Sequence, residues 1–174
     1  MAHSMFSQAD QIRQMFENLQ TYEMDPTVKI VVLKAYGKVF SVGGDLVAAW
    51  KIIPLAHWSV VATYYRKVFT LDYLLATYKK PMVAIIDGAV MGGGVGISIH
   101  STFRIVTENT IFAMPEASIG LFPDVGASYF LSRLPGFFGE YMGLTGTRLD
   151  AAEMLAVKLG THFVPSQDLA FSYE

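Results

Sequence analysis

Apolar and polar positions fall along this chain in blocks whose periods predict helices alternating with strands. Ile12, Met15, Phe16 and Leu19 recur at helical spacing between Ser7 and Thr21, with Ser7 as the candidate cap and Asp25-Pro26 as the stop. The β-branched run 28–33 (VKIVVL) has strand length and is continuous enough to predict burial on both faces. Val61, Tyr64, Val68, Leu71 and Leu75 form a second helical stripe within 58–78, closed by Lys79-Lys80-Pro81. Residues 82–86 (MVAII) predict a second buried strand, which the Asp87-Gly88 turn ends. A short helix is expected over 94–100, and strands over 103–107 and 110–113 around the turn at Glu108-Asn109. A loop rich in Gly and Pro follows Pro115. Helices are expected over 125–133, 137–144 and 150–159, and a strand over 162–164. Buried strands alternating with helices predict the α/β class. No repeat, low-complexity linker or internal boundary interrupts the pattern, so residues 1–174 read as one domain.

Composition narrows this picture. Hydrophobic residues make up 52% of 174 and charged residues 16%, with a mean hydropathy of +0.37, which excludes a disordered chain. The excess over a soluble monomer's needs is expected at a subunit interface or an apolar ligand tunnel. The greasiest stretch, 82–99, contains Asp87 and five glycines (Gly88, Gly92, Gly93, Gly94, Gly96), so it predicts a strand and a glycine turn rather than a membrane span of about 20 apolar residues. A net charge of −2 without a basic stripe argues against a nucleic-acid partner. The absence of cysteine excludes a disulfide framework, a thiolate zinc site and a cysteine nucleophile. Four scattered histidines make a metal centre a poor fit, and the N-terminus shows no secretory leader.

Two glycine turns follow the two predicted buried strands: Phe40-Ser41-Val42-Gly43-Gly44-Asp45, and Met91-Gly92-Gly93-Gly94-Val95-Gly96, which opens a helix. Glycine lets a main-chain N–H approach a ligand closely, and a helix start adds partial positive charge. Two such N–H groups converging on one point would stabilise charge growing on a carbonyl oxygen. Tight turns and close helix–strand packing account for the same glycines. The spacing does not match G-x-G-x-x-G, and no acidic residue ends a strand about 20 residues on, so a dinucleotide site is set aside. No serine sits in a G-x-S-x-G elbow. Glu116 and Asp124 stand on a loop otherwise built of apolar, Gly and Pro residues, where desolvation should raise a carboxyl pKa and suit it to acid–base work. The alternatives are a surface Glu116 and an Asp124 that caps the following helix. His100 and His162 read as ordinary partly buried histidines, and Arg104, Arg133 and Arg148 as solvated or ion-paired.

Taken in order, these segments resemble the crotonase (enoyl-CoA hydratase/isomerase) superfamily from Val28 to about Leu169. Lys80-Pro81-Met82-Val83-Ala84, Asp87-Gly88, Met91 to Gly96 and Phe112 to Gly126 are most similar to its 3-hydroxyisobutyryl-CoA hydrolase branch. Gly120-Leu121-Phe122-Pro123-Asp124-Val125-Gly126 is the most specific mark; Leu144-Thr145-Gly146 extends it, and Ala127 to Glu140 resembles plant members. The resemblance implies a spiral of ββα turns that binds an acyl-CoA thioester, with the N–H groups of Gly44 and Gly93 as the oxyanion hole. It implies Glu116 as nucleophile or water-activating base and Asp124 as the group that binds the substrate hydroxyl or orients water. Hydratases commonly carry a second acid just past the glycine run. Gly96 stands there, which favours thioester hydrolysis, a step of valine breakdown, over water addition. No metal or redox cofactor is implied.

Against the family pattern, the opening strand, hairpin and N-R/K-P type segment are missing ahead of Ser7, and so is the long C-terminal helical part beyond Tyr173-Glu174. A partial crotonase-like domain is therefore expected, with unpaired sheet edges. A gapless alignment puts Val68 at an acidic substrate-contacting position. A non-catalytic relative that keeps the CoA scaffold or an interaction surface is the alternative from another class, and a hydratase or isomerase the weaker third. The resemblance also implies a homo-oligomer and a mitochondrial or peroxisomal home, although no targeting signal is readable.

Overall fold

A computed structural model describes residues 3–45, 47 and 57–169, with the backbone alone for residues 3–8. The leader reading at Met1-Ala2 and the end at Tyr173-Glu174 lie outside the described residues. The chain divides into two compact units, residues 1–29 with 44–80 and residues 30–43 with 81–174.

The first unit holds two long helices, α1 (His3–Met24) and α2 (Trp58–Ala76), which pack on each other. α1 starts well before Ser7, so Ser7 lies inside the helix and does not cap it. It ends where Thr27 donates to Asp25 Oδ1 through its N–H (2.8 Å) and hydroxyl (2.7 Å), as the Asp25-Pro26 signal implies. α2 buries Leu71 and Leu75 from the expected stripe. The Tyr78 hydroxyl donates to Leu19 O (2.7 Å), the Lys79 N–H to Glu23 Oε1 (2.8 Å), and Lys80 Nζ to Tyr22 O and Asp25 O. The Lys79-Lys80 signal therefore closes α2 by tying it to the end of α1.

The second unit is built from two four-stranded sheets. Three successive strand pairs, β1 (Val31–Lys34) with β2 (Val39–Ser41), β3 (Met82–Ile86) with β4 (Ala89–Met91), and β5 (Phe103–Val106) with β6 (Ile111–Ala113), each send their first strand to one sheet and their second to the other. Like strands pair in parallel, Val31 opposite Met82, Val83 opposite Phe103, Val39 opposite Ala89 and Met91 opposite Ala113. This is the expected spiral. β8 (His162–Phe163) extends the first sheet in parallel, and β7 (Arg148–Leu149) the second antiparallel to β6. The strand expected over 28–33 needs correction. It begins at Val31 because the Val28 N–H closes the turn onto Asp25 O (3.2 Å), and it is an edge strand with Val32 and Lys34 exposed. β3 is internal, and its Met82, Ala84, Ile85 and Ile86 are buried as predicted. β2 and β4 were not foreseen, since three residues beside glycine turns carry too little periodicity.

Side chains tie the corners between successive pairs. Thr107 Oγ1 (2.8 Å) and Asn109 Nδ2 (3.0 Å) donate to Asp87 Oδ1, and Thr110 Oγ1 donates to Ile86 O (2.6 Å) while accepting from the Thr107 N–H (2.8 Å). Three helices are shorter than the sequence suggests, α3 (Gly93–Ser98), α4 (Ala127–Leu131) and α6 (Ala151–Ala156), the last opened by a reciprocal Asp150–Glu153 cap, whereas α5 (Phe138–Thr145) has the expected length. Arg104 is half-buried and makes no ion pair among the described residues. Its guanidinium donates to Leu159 O, Ser101 O (2.6 Å each) and Lys158 O (3.3 Å), sealing two turns by main-chain contacts. His162 is exposed, not partly buried. Phe122, Phe137 and Leu144 are strongly exposed, so part of the apolar excess lies on the surface of this unit.

Candidate active site

The parallel pairing of β4 with β6 puts the residues after Met91 beside those after Ala113. The Gly92 N–H extends that ladder, donating to Ala113 O (3.3 Å). Beyond β6 the chain passes Met114 and Pro115 into a 3₁₀ turn, Glu116–Ile119, so Glu116 arrives directly at the second glycine turn. Its Oε1 lies 2.7 Å from the point a side-chain carbon on Gly92 would occupy. Gly92 has φ +50° and ψ −120°, a conformation that side-chain-bearing residues avoid, so glycine is required twice over. The first glycine turn crosses the second. A carbon on Gly43 would sit 3.0 Å from Gly93 N, and one on Gly94 2.1 Å from Ser41 O. The glycine runs therefore serve close packing, and the same closeness leaves the Gly93 N–H at the start of α3, beside the carboxylate-bearing turn. Gly44 begins the second stretch of the other unit. Val68 is a half-buried residue of α2 in that unit.

Glu116 is 7% exposed, not a surface residue, and among the described residues its Oε2 has no hydrogen-bond partner. Burial pushes its carboxyl above the ordinary range, its own main-chain N–H pulls it back, and the nearby charge of Asp124 pushes it up further. Asp124 is half-buried, and burial raises its carboxyl against its own N–H. It does not cap α4. That helix begins at Ala127 with no side-chain cap, and the Ala127 N–H donates to the main-chain oxygen of Asp124 (2.7 Å). Asp124 is instead presented by two successive left-handed residues, Val125 (φ +44°, 3% exposed) and Gly126 (φ +83°). A β-branched residue held there costs about 1–3 kcal/mol, strain of the kind that clusters at functional sites.

The site thus combines a buried carboxylate with a spare acceptor oxygen, a second carboxylate close enough to raise it, and a main-chain N–H at a glycine turn. Such a set can take a proton from water or attack an electrophilic carbonyl, and can donate to the oxygen on which charge then develops. Among the described residues no group of three metal-ligating side chains exists, and no helix is long and apolar enough to cross a membrane. The turn at Val125-Gly126 was not foreseen, because valine carries no signal for a left-handed position.

Comparison with known proteins bears on this geometry. The profile of the enoyl-CoA hydratase/isomerase family matches residues 8–172. The chain is 57% identical over 158 residues to 3-hydroxyisobutyryl-CoA hydrolase 1 of Arabidopsis thaliana, covering 91% of this chain and 42% of that protein. It is 46% identical over 159 residues to the mitochondrial 3-hydroxyisobutyryl-CoA hydrolase of Xenopus tropicalis, covering 91% and 41%. The chain therefore spans about two fifths of the length of these relatives. Among solved structures, an enoyl-CoA hydratase from Rhodobacter sphaeroides superposes with a TM-score of 0.88 at 33% identity, covering 92% of this chain and 48% of that one. A carnitinyl-CoA dehydratase from Mycobacterium thermoresistibile gives 0.87 at 36% identity, covering 92% and 47%.

Proposed function

Because the chain belongs to the enoyl-CoA hydratase/isomerase family, we propose that it carries the reacting centre of an acyl-CoA thioester hydrolase acting on 3-hydroxyisobutyryl-CoA. The observation that carries this reading is the buried Glu116 carboxylate seated against Gly92, one residue from the Gly93 N–H. The relatives named for this reaction at 46–57% identity supply the acyl group. Gly96 in place of a second acid past the glycine run favours hydrolysis over hydration of a double bond.

In this mechanism the thioester oxygen accepts from the Gly93 N–H. Glu116 takes a proton from water as the water oxygen bonds to the carbonyl carbon, and the resulting oxyanion is held by that donor. Collapse breaks the C–S bond, and the proton on Glu116 passes to the departing CoA sulfur. In the covalent variant Glu116 itself attacks, the C–S bond breaks to release CoA thiolate, and water opens the mixed anhydride at the Glu116 carbonyl carbon, its proton going to the thiolate. Asp124 holds the substrate's 3-hydroxyl or the water, and its charge keeps the Glu116 carboxyl basic enough to act as a base. The reaction as written needs no metal or redox cofactor. Relatives named mitochondrial support a mitochondrial home, and imaging of a tagged full-length protein distinguishes that from peroxisomes.

Release of CoA thiol from 3-hydroxyisobutyryl-CoA, followed for the wild type and Glu116→Gln, tests the proposal. The expected result is a rate in the wild type that falls about 10²–10⁴-fold in the variant. A folded wild-type chain that hydrolyses nothing, or a variant as fast as the wild type, overturns it. A single turnover in ¹⁸O-water labels Glu116 in the covalent route and leaves it unlabelled in the general-base route.

A further inference from the structure

His100 has no part in the chemistry above, yet it stands against Gly126, two residues past Asp124. It follows α3, the helix that begins at Gly93, and its Nε2 lies 3.3 Å from the point a side-chain carbon on Gly126 would occupy. The imidazole therefore fills the hollow that the missing Gly126 side chain leaves. Its ring also meets Tyr129 of α4, with centroids 6.2 Å apart and planes inclined by 49°. Tyr129 is clamped from its other partner, Arg133, whose guanidinium lies 3.6 Å from the ring centroid and donates to Tyr129 O (2.7 Å). The Tyr129 N–H in turn donates to Gly126 O (2.9 Å). His100 is thus wedged between the turn that presents Asp124 and the helix that follows it. That turn stores strain at Val125, which persists only where surrounding packing over-determines it.

We infer that His100 is a positioning residue, whose ring locks the left-handed Val125-Gly126 turn onto the end of α3 and so holds Asp124 within electrostatic reach of Glu116. The inference rests on the proposed site but makes a claim about geometry. α3 then aligns both halves of the chemistry, the Gly93 N–H at its start and the Asp124 turn just past its end. The ring is suited to the place because it stays neutral. Burial and the facing guanidinium of Arg104 both hold His100 below its ordinary pKa, so no cation is brought to the back of the turn near neutral pH.

The test is a carbon-13 NMR titration of the Glu116 and Asp124 carboxyls in the wild type, His100→Ala and His100→Phe, with Asp124→Asn as reference. If the ring positions the turn, His100→Ala shifts the Glu116 midpoint downward, in the direction Asp124→Asn shifts it, because Asp124's charge withdraws. The Asp124 midpoint falls as well, as water reaches its carboxyl. His100→Phe, which keeps a planar ring in the hollow, restores both midpoints. Merely lowered stability moves the unfolding temperature and leaves these midpoints in place. Unchanged midpoints in a folded His100→Ala, or a His100→Phe that shifts like His100→Ala, overturn the inference. Should His100→Ala fail to fold, the nuclear Overhauser contact between the His100 ring and the Gly126 α-protons of the wild type decides, and its absence overturns the inference. The titration needs no turnover, so a wild type that hydrolyses no thioester sinks the proposed function and leaves this result standing.

Discussion

Gly92→Ala strikes the contact on which the proposed chemistry depends. Alanine there must hold φ +50° and ψ −120°, at a cost of about 1–3 kcal/mol. At roughly 2–4 °C of unfolding temperature per kcal/mol for a chain of this size, the strain alone lowers it by about 2–12 °C. The new methyl also meets Glu116 Oε1 at 2.7 Å, about 0.7 Å inside ordinary van der Waals contact. A buried carboxylate can relieve that overlap only by moving off the glycine turn. A misplacement approaching 1 Å costs up to about 10²-fold in rate, so kcat is expected to fall about 10–100-fold. The assay pairs CoA-thiol release with thermal unfolding in a double-mutant cycle against Glu116→Ala. With the carboxylate gone, Gly92→Ala should cost only its backbone strain, so its stability loss shrinks and the cycle shows coupling. Full kcat in Gly92→Ala, or additive stability losses, would refute the placement of Glu116 against this turn.

Other perturbations follow from the same packing. Burial raises Glu116 in the folded chain above its unfolded value, so its contribution favours folding at acid pH and is lost as pH rises through the folded value. Glu116→Gln should therefore unfold at a higher temperature than the wild type at pH 8, by roughly 0.5–2 kcal/mol, with the gain disappearing near pH 4; a variant less stable at pH 8 contradicts the buried, costly carboxylate. Thr110→Val leaves Ile86 O and the Thr107 N–H without their partner at a residue 1% exposed, and should lose about 2–5 kcal/mol in urea unfolding. Arg104→Met removes the smaller of the two influences that hold His100 down, so the imidazole midpoint read by nitrogen-15 NMR should rise while staying below its ordinary value. An unmoved midpoint would show that Arg104 does not face the ring.

Much of the second unit was legible because its signals are local or long. The 82–86 run is apolar throughout, a property of an internal strand whatever surrounds it, and β3 falls where it was expected. The Phe112-to-Gly126 segment marked Glu116 and Asp124 because carboxylates are conspicuous in a Gly-, Pro- and apolar-rich loop. The edge position of β1 was not legible, since burial on both faces depends on which strands later pair with it. The three-residue strands β2 and β4 were not legible either, for their pairing is what makes them strands.

The residues alone therefore determine the class, the internal strand β3, and which acids are candidates, because period, turn chemistry and residue type act over a few neighbours. Only the tertiary structure decides that Glu116 seats on Gly92, that Asp124 presents its carboxyl from a strained turn rather than capping a helix, and that His100 backs that turn. The first and last are contacts between segments distant in sequence, the first brought about by the parallel pairing of β4 with β6, and the second is a strained local conformation that only surrounding packing sustains. No local pattern encodes such a distance. It emerges when the sheets close and the glycines allow the backbones to touch.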